Sequence, residues 1–341
     1  MKPFGRRKNL AIDVMERRTV TGVQITRSGT GNLFTFGFAL LLAIFGLGAK
    51  SSPGQSNREA EGARLLKGAI DMHFHMDPRL ADGAHDEAVI ETIRIAQARG
   101  IRGLVIKSHH EPTSTLAYQL RLEIPNINLF GGVVMNRSNG GMNVDAVEYM
   151  ATGIYGTPGK IVWMPAFDSE IESNPPYPKK PFVAVSRDGK LLPETKEVIA
   201  AVAKYDLILA SGHIAPAEAL MVFREGRTQG VHRMIATHAM DLAGKMNMDQ
   251  MLEAAKLGAI IEFDFRNIRE EDGVRIDAIR KIGPERCLIS EFWTQRSPRI
   301  YAGLDAAGQF VEAMHARGFT DSELDMMFKG NPAKLLGLAS H

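Results

Sequence analysis

The chain has 341 residues, a hydrophobic share of 45% and a formal net charge of +2, the profile of a globular protein with room for a sizeable core in one large or two ordinary domains. Its charge is uneven: residues 1–32 carry seven basic residues against Asp13 and Glu16, so residues 33–341 sum to −3 and leave no basic field for nucleic acid. A single cysteine, Cys287 in an apolar run, excludes an internal disulfide framework and reads as an inert buried thiol.

Behind the basic leader, Leu33 to Ala49 is an uncharged run of 17 residues followed by Lys50-Ser51-Ser52-Pro53-Gly54. This is the pattern of a secretory signal or signal anchor, to be kept out of fold reasoning. The run is at the short limit for a membrane span, so cleavage after Ala49 or Ser51 is favoured over retention as an anchor. The protein is therefore expected outside the cytoplasm, periplasmic or attached to the membrane through residues 33–49. Arg6-Arg7 and Arg17-Arg18 each offer the start of a twin-arginine signal, but neither pair has the rest of that pattern. Residues 50–66 read as a polar linker, and 67–341 as one domain.

The domain opens on Ile70-Asp71-Met72-His73-Phe74-His75-Met76-Asp77-Pro78, apolar at its even positions and stopped by proline, which suits a buried strand. Side chains two apart on a strand share a face, so His73 and His75 project together and form half a metal site. Asp71, one step below, is placed to hold one imidazole by its second nitrogen. Further strands are expected at Gly103–Ser108, Asn128–Met135, Lys160–Pro165, Leu207–His213, Arg233–His238, Ala259–Phe265 and Cys287–Glu291. Helical stretches such as Asp86–Arg99, Val144–Ala151, Glu194–Lys204, Ala217–Gln229, Met248–Leu257, Val274–Ile282 and Ala306–Arg317 separate them. Eight βα units in about 270 residues predict an α/β fold, a closed (β/α)8 barrel of TIM type; no GxGxxG follows the first strand to support a dinucleotide fold. After Pro165 a long connection includes the proline-rich Asn174–Pro181 and an expected hairpin over Phe182–Leu192, turning at Arg187-Asp188-Gly189-Lys190.

In such a barrel the C-terminal ends of the strands face the active site. Those ends carry His73 and His75, then Lys107-Ser108-His109-His110, Asn136, Ser211-Gly212-His213, Thr237-His238 and Ser290-Glu291, which holds six of the ten histidines in a few short windows. Their joint placement points to a metal site. On IDMHFH, GLVIKSHHEPT, FGGVVMNRSNGGMN, SGH, ATHAM and the closing NPAKLLGL, the chain resembles the amidohydrolase superfamily from about Gly68 to Leu338, most closely an uncharacterised amidohydrolase-like family within it. The resemblance implies a divalent metal on His73, His75, His213 and Glu291, with His238 binding a second ion or polarising the substrate.

Two positions depart from that pattern. Glu291 stands where the superfamily usually has aspartate, and the fourth strand lacks the lysine or glutamate that bridges two metals in binuclear members. Lys107 is the remaining candidate for a bridge, as a carbamate, with an ammonium that pairs with an anionic substrate or with Glu291 as the simpler state. The expected activity is an exported hydrolase that uses a metal-activated water on an amide, lactone or ester of a small molecule. Glu291, His238 and Lys107 are its expected catalytic residues, and His109, Asn136 and Arg137 at the mouth its expected substrate contacts. Imidazole-rich ligation suits zinc, with manganese or iron as alternatives and one or two ions. A decarboxylase on the same barrel, with Lys107 or Arg137 holding a carboxylate, and a non-catalytic metal-binding protein are the rival readings.

Overall fold

Short apolar runs bounded by turn residues bury both faces, which is what a strand of a parallel barrel requires. Eight such runs form one parallel sheet in chain order: β1 (Ile70–His75), β2 (Gly103–Lys107), β3 (Asn128–Val134), β4 (Gly159–Trp163), β7 (Ile208–Ala210), β8 (Met234–Ala236), β9 (Ala259–Asp264) and β10 (Cys287–Ser290). Strands β5 (Ser186–Arg187) and β6 (Lys190–Leu191) form a separate hairpin. The computed structural model describes residues 53–76, 86–153, 159–241, 244–265, 273–291 and 304–339; the leader of residues 1–49 lies outside them. Lys50–His341 forms one compact unit, and among the described residues no helix is long and apolar enough to cross a membrane.

The strands alternate between two apolar clusters, as their two-residue period demands. Inside the barrel lie Ile70, Met72, Val105, Phe130, Ile161, Trp163, Ile208, Ile235 and Leu288, with Leu335 and Leu336 packed on the same cluster. Outside, against the helices, lie Phe74, Leu104, Ile106, Val162, Leu209, Met234, Ala236, Cys287 and Ile289. Each position removed from water contributes on the order of 2 kcal/mol, so this alternation fixes which side chains can reach the interior. Cys287 is fully buried and burial pushes its thiol up, in keeping with an inert residue.

Residues 50–66 are not the expected linker: Pro53–Leu66 is a helix, α1, which buries Leu65 and Leu66 and packs on α9 (Leu304–Ala316). Two glycines let it pack there. A Cβ on Gly62 would run into the Leu304 carbonyl and one on Gly308 into the Arg58 carbonyl, so the two helices cross backbone to backbone. Helix α3 (Ser114–Glu123), which the periodicity did not bring out, fills the β2–β3 connection and buries Ala117 and Leu120. The hairpin in the long β4–α5 connection, leading to α5 (Pro193–Lys204), turns where expected. Its two central residues, Asp188 and Gly189, have φ of 50° and 71°, the pair of left-handed positions a two-residue hairpin turn needs.

Candidate metal centre

The first histidine owes its position to a bulge. The β1–β2 register shifts between Asp71 and Phe74, so Ile70 and Met72 face the interior, Phe74 faces the helices, and both His73 and His75 return to the inside. Asp71, expected to hold an imidazole, holds backbone. Its Oδ1 accepts the backbone N–H of His73 at 3.0 Å and that of Glu291 at 3.0 Å, which ties β1 to the end of β10. The imidazole of His73 is held by Glu262, whose Oε1 and Oε2 lie 3.1 and 3.2 Å from its Nδ1.

His73, His75, His238 and Glu291 bring one ligand atom each within 4.8 Å of one another. Ring centroids are 4.8 Å apart for His73 and His75 and 4.4 Å for His73 and His238, and His75 Nε2 lies 2.8 Å from Glu291 Oε1. His73, His238 and Glu291 are nearly inaccessible to water. His213, expected as a ligand, stands beside this group with its ring 5.5 Å from that of His238; Glu172 Oε1 holds its Nδ1 at 2.8 Å. Asp264 pairs with His238 Nδ1.

Lys107 follows the inward parity of Val105 and places Nζ 2.8 Å from His73 Nε2 and 5.5 Å from the centre of the Trp163 ring. His109 stacks on His75 at 4.9 Å and on Phe167 at 4.0 Å, so rings run from the solvent-exposed Phe167 into the buried cluster. Asn136 is only 2% exposed and both ends of its amide are taken by backbone: Nδ2 donates to the His109 carbonyl at 2.9 Å, and Oδ1 accepts from Ala166 at 2.9 Å. It braces the mouth rather than presenting itself to a substrate. Arg137 is exposed and lines a cleft of about 670 Å³ with Met142, Phe182, Arg187 and Leu192, apart from the histidine cluster.

The electrostatics follow from burial. Desolvation, then the neighbouring Lys107 and His238 charges, hold His73 and His213 well below the ordinary imidazole range, so both are neutral. Burial would lower His238 too, but Asp264 and Glu291 outweigh it and raise it to about 9. Burial pushes Glu172 and Glu262 up, against the charges of Lys180 and Lys107 for the first and of His238 for the second.

The residues present fit a divalent metal. Three imidazoles and one carboxylate converge in a buried site, a donor set of the nitrogen and oxygen kind that zinc takes. His213 Nε2 is buried with no hydrogen-bond partner among the described residues, the state of a donor kept for a ligand. Sequence reasoning missed Glu172, Glu262 and Asp264. For the last two a signal existed: Glu262 and Asp264 are carboxylates two apart in the otherwise apolar β9, the same periodicity that exposed the histidine pair.

A family model matches residues 68–262, more than half of the chain, and describes a family of unknown function, DUF6282. The chain belongs to this family. The matched part of this DUF6282 protein contains His73, His75, Lys107, His213, His238 and Glu262 but not Glu291. No curated protein matches it. Among solved structures, it is similar to a protein engineered for organophosphate hydrolysis from a weak promiscuous lactonase template, with TM-score 0.55 and 16% identity over 81% of this chain and 97% of the other. An amidohydrolase from Pseudomonas aeruginosa matches with TM-score 0.54 and 11% identity, over 82% and 98% of the two chains. An organophosphorus hydrolase from Deinococcus radiodurans matches with TM-score 0.54 and 16% identity, over 81% and 94%. At these identities the likeness establishes the fold alone: the DUF6282 chain has the (β/α)8 barrel that its strand pattern led one to expect.

Proposed function

We propose that this DUF6282 protein is a metal-dependent hydrolase acting on an ester, lactone or amide bond of a small molecule. The observation that carries the reading is the convergence of His73, His75, His238 and Glu291 at the C-terminal mouth of the barrel. The three imidazoles would hold the ion, with His213 Nε2 as a further donor. Zinc best suits that set, with manganese or iron as alternatives. A divalent ion held there would supply Lewis acidity at neutral pH.

The remaining chemistry belongs to the side chains. Glu291, buried beside His75, would take the proton of the attacking water and pass it to the leaving group. The lone pair of His73 that Lys107 takes is the one an ion would take, so with an ion bound the Lys107 ammonium would turn toward charge developing on a substrate oxygen. The organophosphate and lactone chemistry of the structural neighbours supports the same bond classes. Alanine at His73 or His75 should abolish bound metal, measured by elemental analysis of protein purified without added metal, and lower thermal stability. Unchanged metal stoichiometry in both variants would refute the reading.

The reading extends to export, supported by the basic leader and the apolar run Leu33 to Ala49. Mature protein should begin near Lys50 or Ser52 on N-terminal sequencing; a full-length cytoplasmic product would refute export.

A further inference from the structure

We propose that Glu262 is the positioning residue of this centre: it fixes His73 as the tautomer protonated on Nδ1 and so reserves Nε2 for the ion. The inference rests on the metal-centre reading, although its first test needs no metal. Glu262 lies on β9, a strand that supplies none of the four converging residues, and is 1% exposed. Besides His73 Nδ1, its oxygens meet the Ser290 hydroxyl at 2.5 Å and the His238 backbone N–H at 3.3 Å. The backbone N–H can only donate and the hydroxyl is able to, so both contacts suit a carboxylate that accepts.

The other side of the ring is equally one-sided. Lys107 Nζ lies 2.8 Å from His73 Nε2, and its position over the Trp163 face suits an ammonium, which has donors and no acceptor. An acceptor beside Nδ1 and a donor beside Nε2 are satisfied together by one state of the ring, neutral with its proton on Nδ1. The opposite tautomer would set N–H against ammonium and a lone pair against a carboxylate, two repulsive contacts in a buried site. Metal ligation through Nε2 needs that same lone pair, so the protein alone holds the ligand in its binding-competent form.

The same carboxylate reaches further. Ser290 precedes Glu291, and the His238 N–H belongs to another member of the cluster, so Glu262 connects the ends of β1, β8 and β10 from β9. Its effect passes through His73.

The test uses the full-length chain labelled with [15N]histidine and freed of metal, with His73 assigned by its disappearance in His73→Asn. The imidazole spectrum should show a protonated Nδ1 and an unprotonated Nε2. In Glu262→Gln, whose neutral amide oxygen holds the Nδ1 proton less firmly, the Nδ1-protonated share should fall, and Zn²⁺ affinity measured by chelator competition should drop 10- to 100-fold with the far-UV circular dichroism unchanged. Protonated Nε2 in the unsubstituted protein overturns the proposal whether or not the variant folds. So does a Glu262→Gln protein that binds Zn²⁺ as the parent does. A parent with the expected tautomer that binds no Zn²⁺ overturns the metal-centre reading instead, which separates the two failures.

Discussion

Replacing Asp71 should damage the fold and the centre at once. The two end strands of the sheet, β1 and β10, meet there, and Asp71 Oδ1 accepts the His73 and Glu291 backbone N–H groups at 3.0 Å each. Hydrogen bonds to a charged partner contribute roughly 1.5–3 kcal/mol apiece, so Asp71→Ala, which leaves both donors buried and unmet, should cost roughly 3–6 kcal/mol. Against a total stability of roughly 5–15 kcal/mol that is a large share. Asp71→Asn keeps an oxygen in place for the two N–H groups, and losing the charge there costs roughly 2–3 kcal/mol by the difference between charged and neutral bonds. Urea unfolding of metal-free protein measures both, and Zn²⁺ affinity should weaken in the asparagine variant because the backbones of two cluster members are released. A cost below about 1 kcal/mol for the alanine variant, or equal costs for the two, would refute the reasoning.

Glu291→Gln should keep the fold while lowering turnover of a lactone or ester substrate by about 10² to 10⁴ at saturating metal, the range of positioned acid–base catalysis; full activity in that variant would pass the base to another residue. Metal-free protein should also lose stability in alkali. His238 rises from an ordinary 6.5 to about 9, so its contribution is complete below pH 6.5 and disappears as pH climbs through about 9, a difference of about 3 kcal/mol. Urea midpoints at pH 6.5 and 9.5 should show the loss, His238→Gln should remove it, and an identical profile in both proteins would refute the assignment.

Much of this was legible in the residues because the barrel imposes a short period on them. All eight strands lie where apolar runs between turn residues put them, and the hairpin turn at Asp188-Gly189 followed from its dipeptide. Lys107 was legible by its step from Val105. What escaped was set by contacts between distant segments. The role of Asp71 depends on Glu291, 220 residues away, and the helix α1 depends on a glycine crossing with α9 that no local propensity announces. The partner of His213 lies in a loop with no period to read, and Glu172 reaches it only once that loop is folded over the mouth.

The same limit explains how two members of the cluster reach the interior at all. Strict alternation would send both away from it: Met234 and Ala236 on β8 pack outside, as do Cys287 and Ile289 on β10, and His238 and Glu291 each stand an even step beyond them. Each breaks the alternation with a left-handed backbone, φ +47° at His238 and +53° at Glu291. That conformation costs a residue with a side chain roughly 1–2 kcal/mol, and neither position is glycine. In both cases the backbone N–H of the strained residue is received by a buried carboxylate, Glu262 for His238 and Asp71 for Glu291. The two carboxylates that hold the strain are thus the two that also hold His73, one by its ring and one by its backbone. Strain maintained this way belongs to the placement of the ligands rather than to the stability of the barrel, which would be better served by glycine at either position.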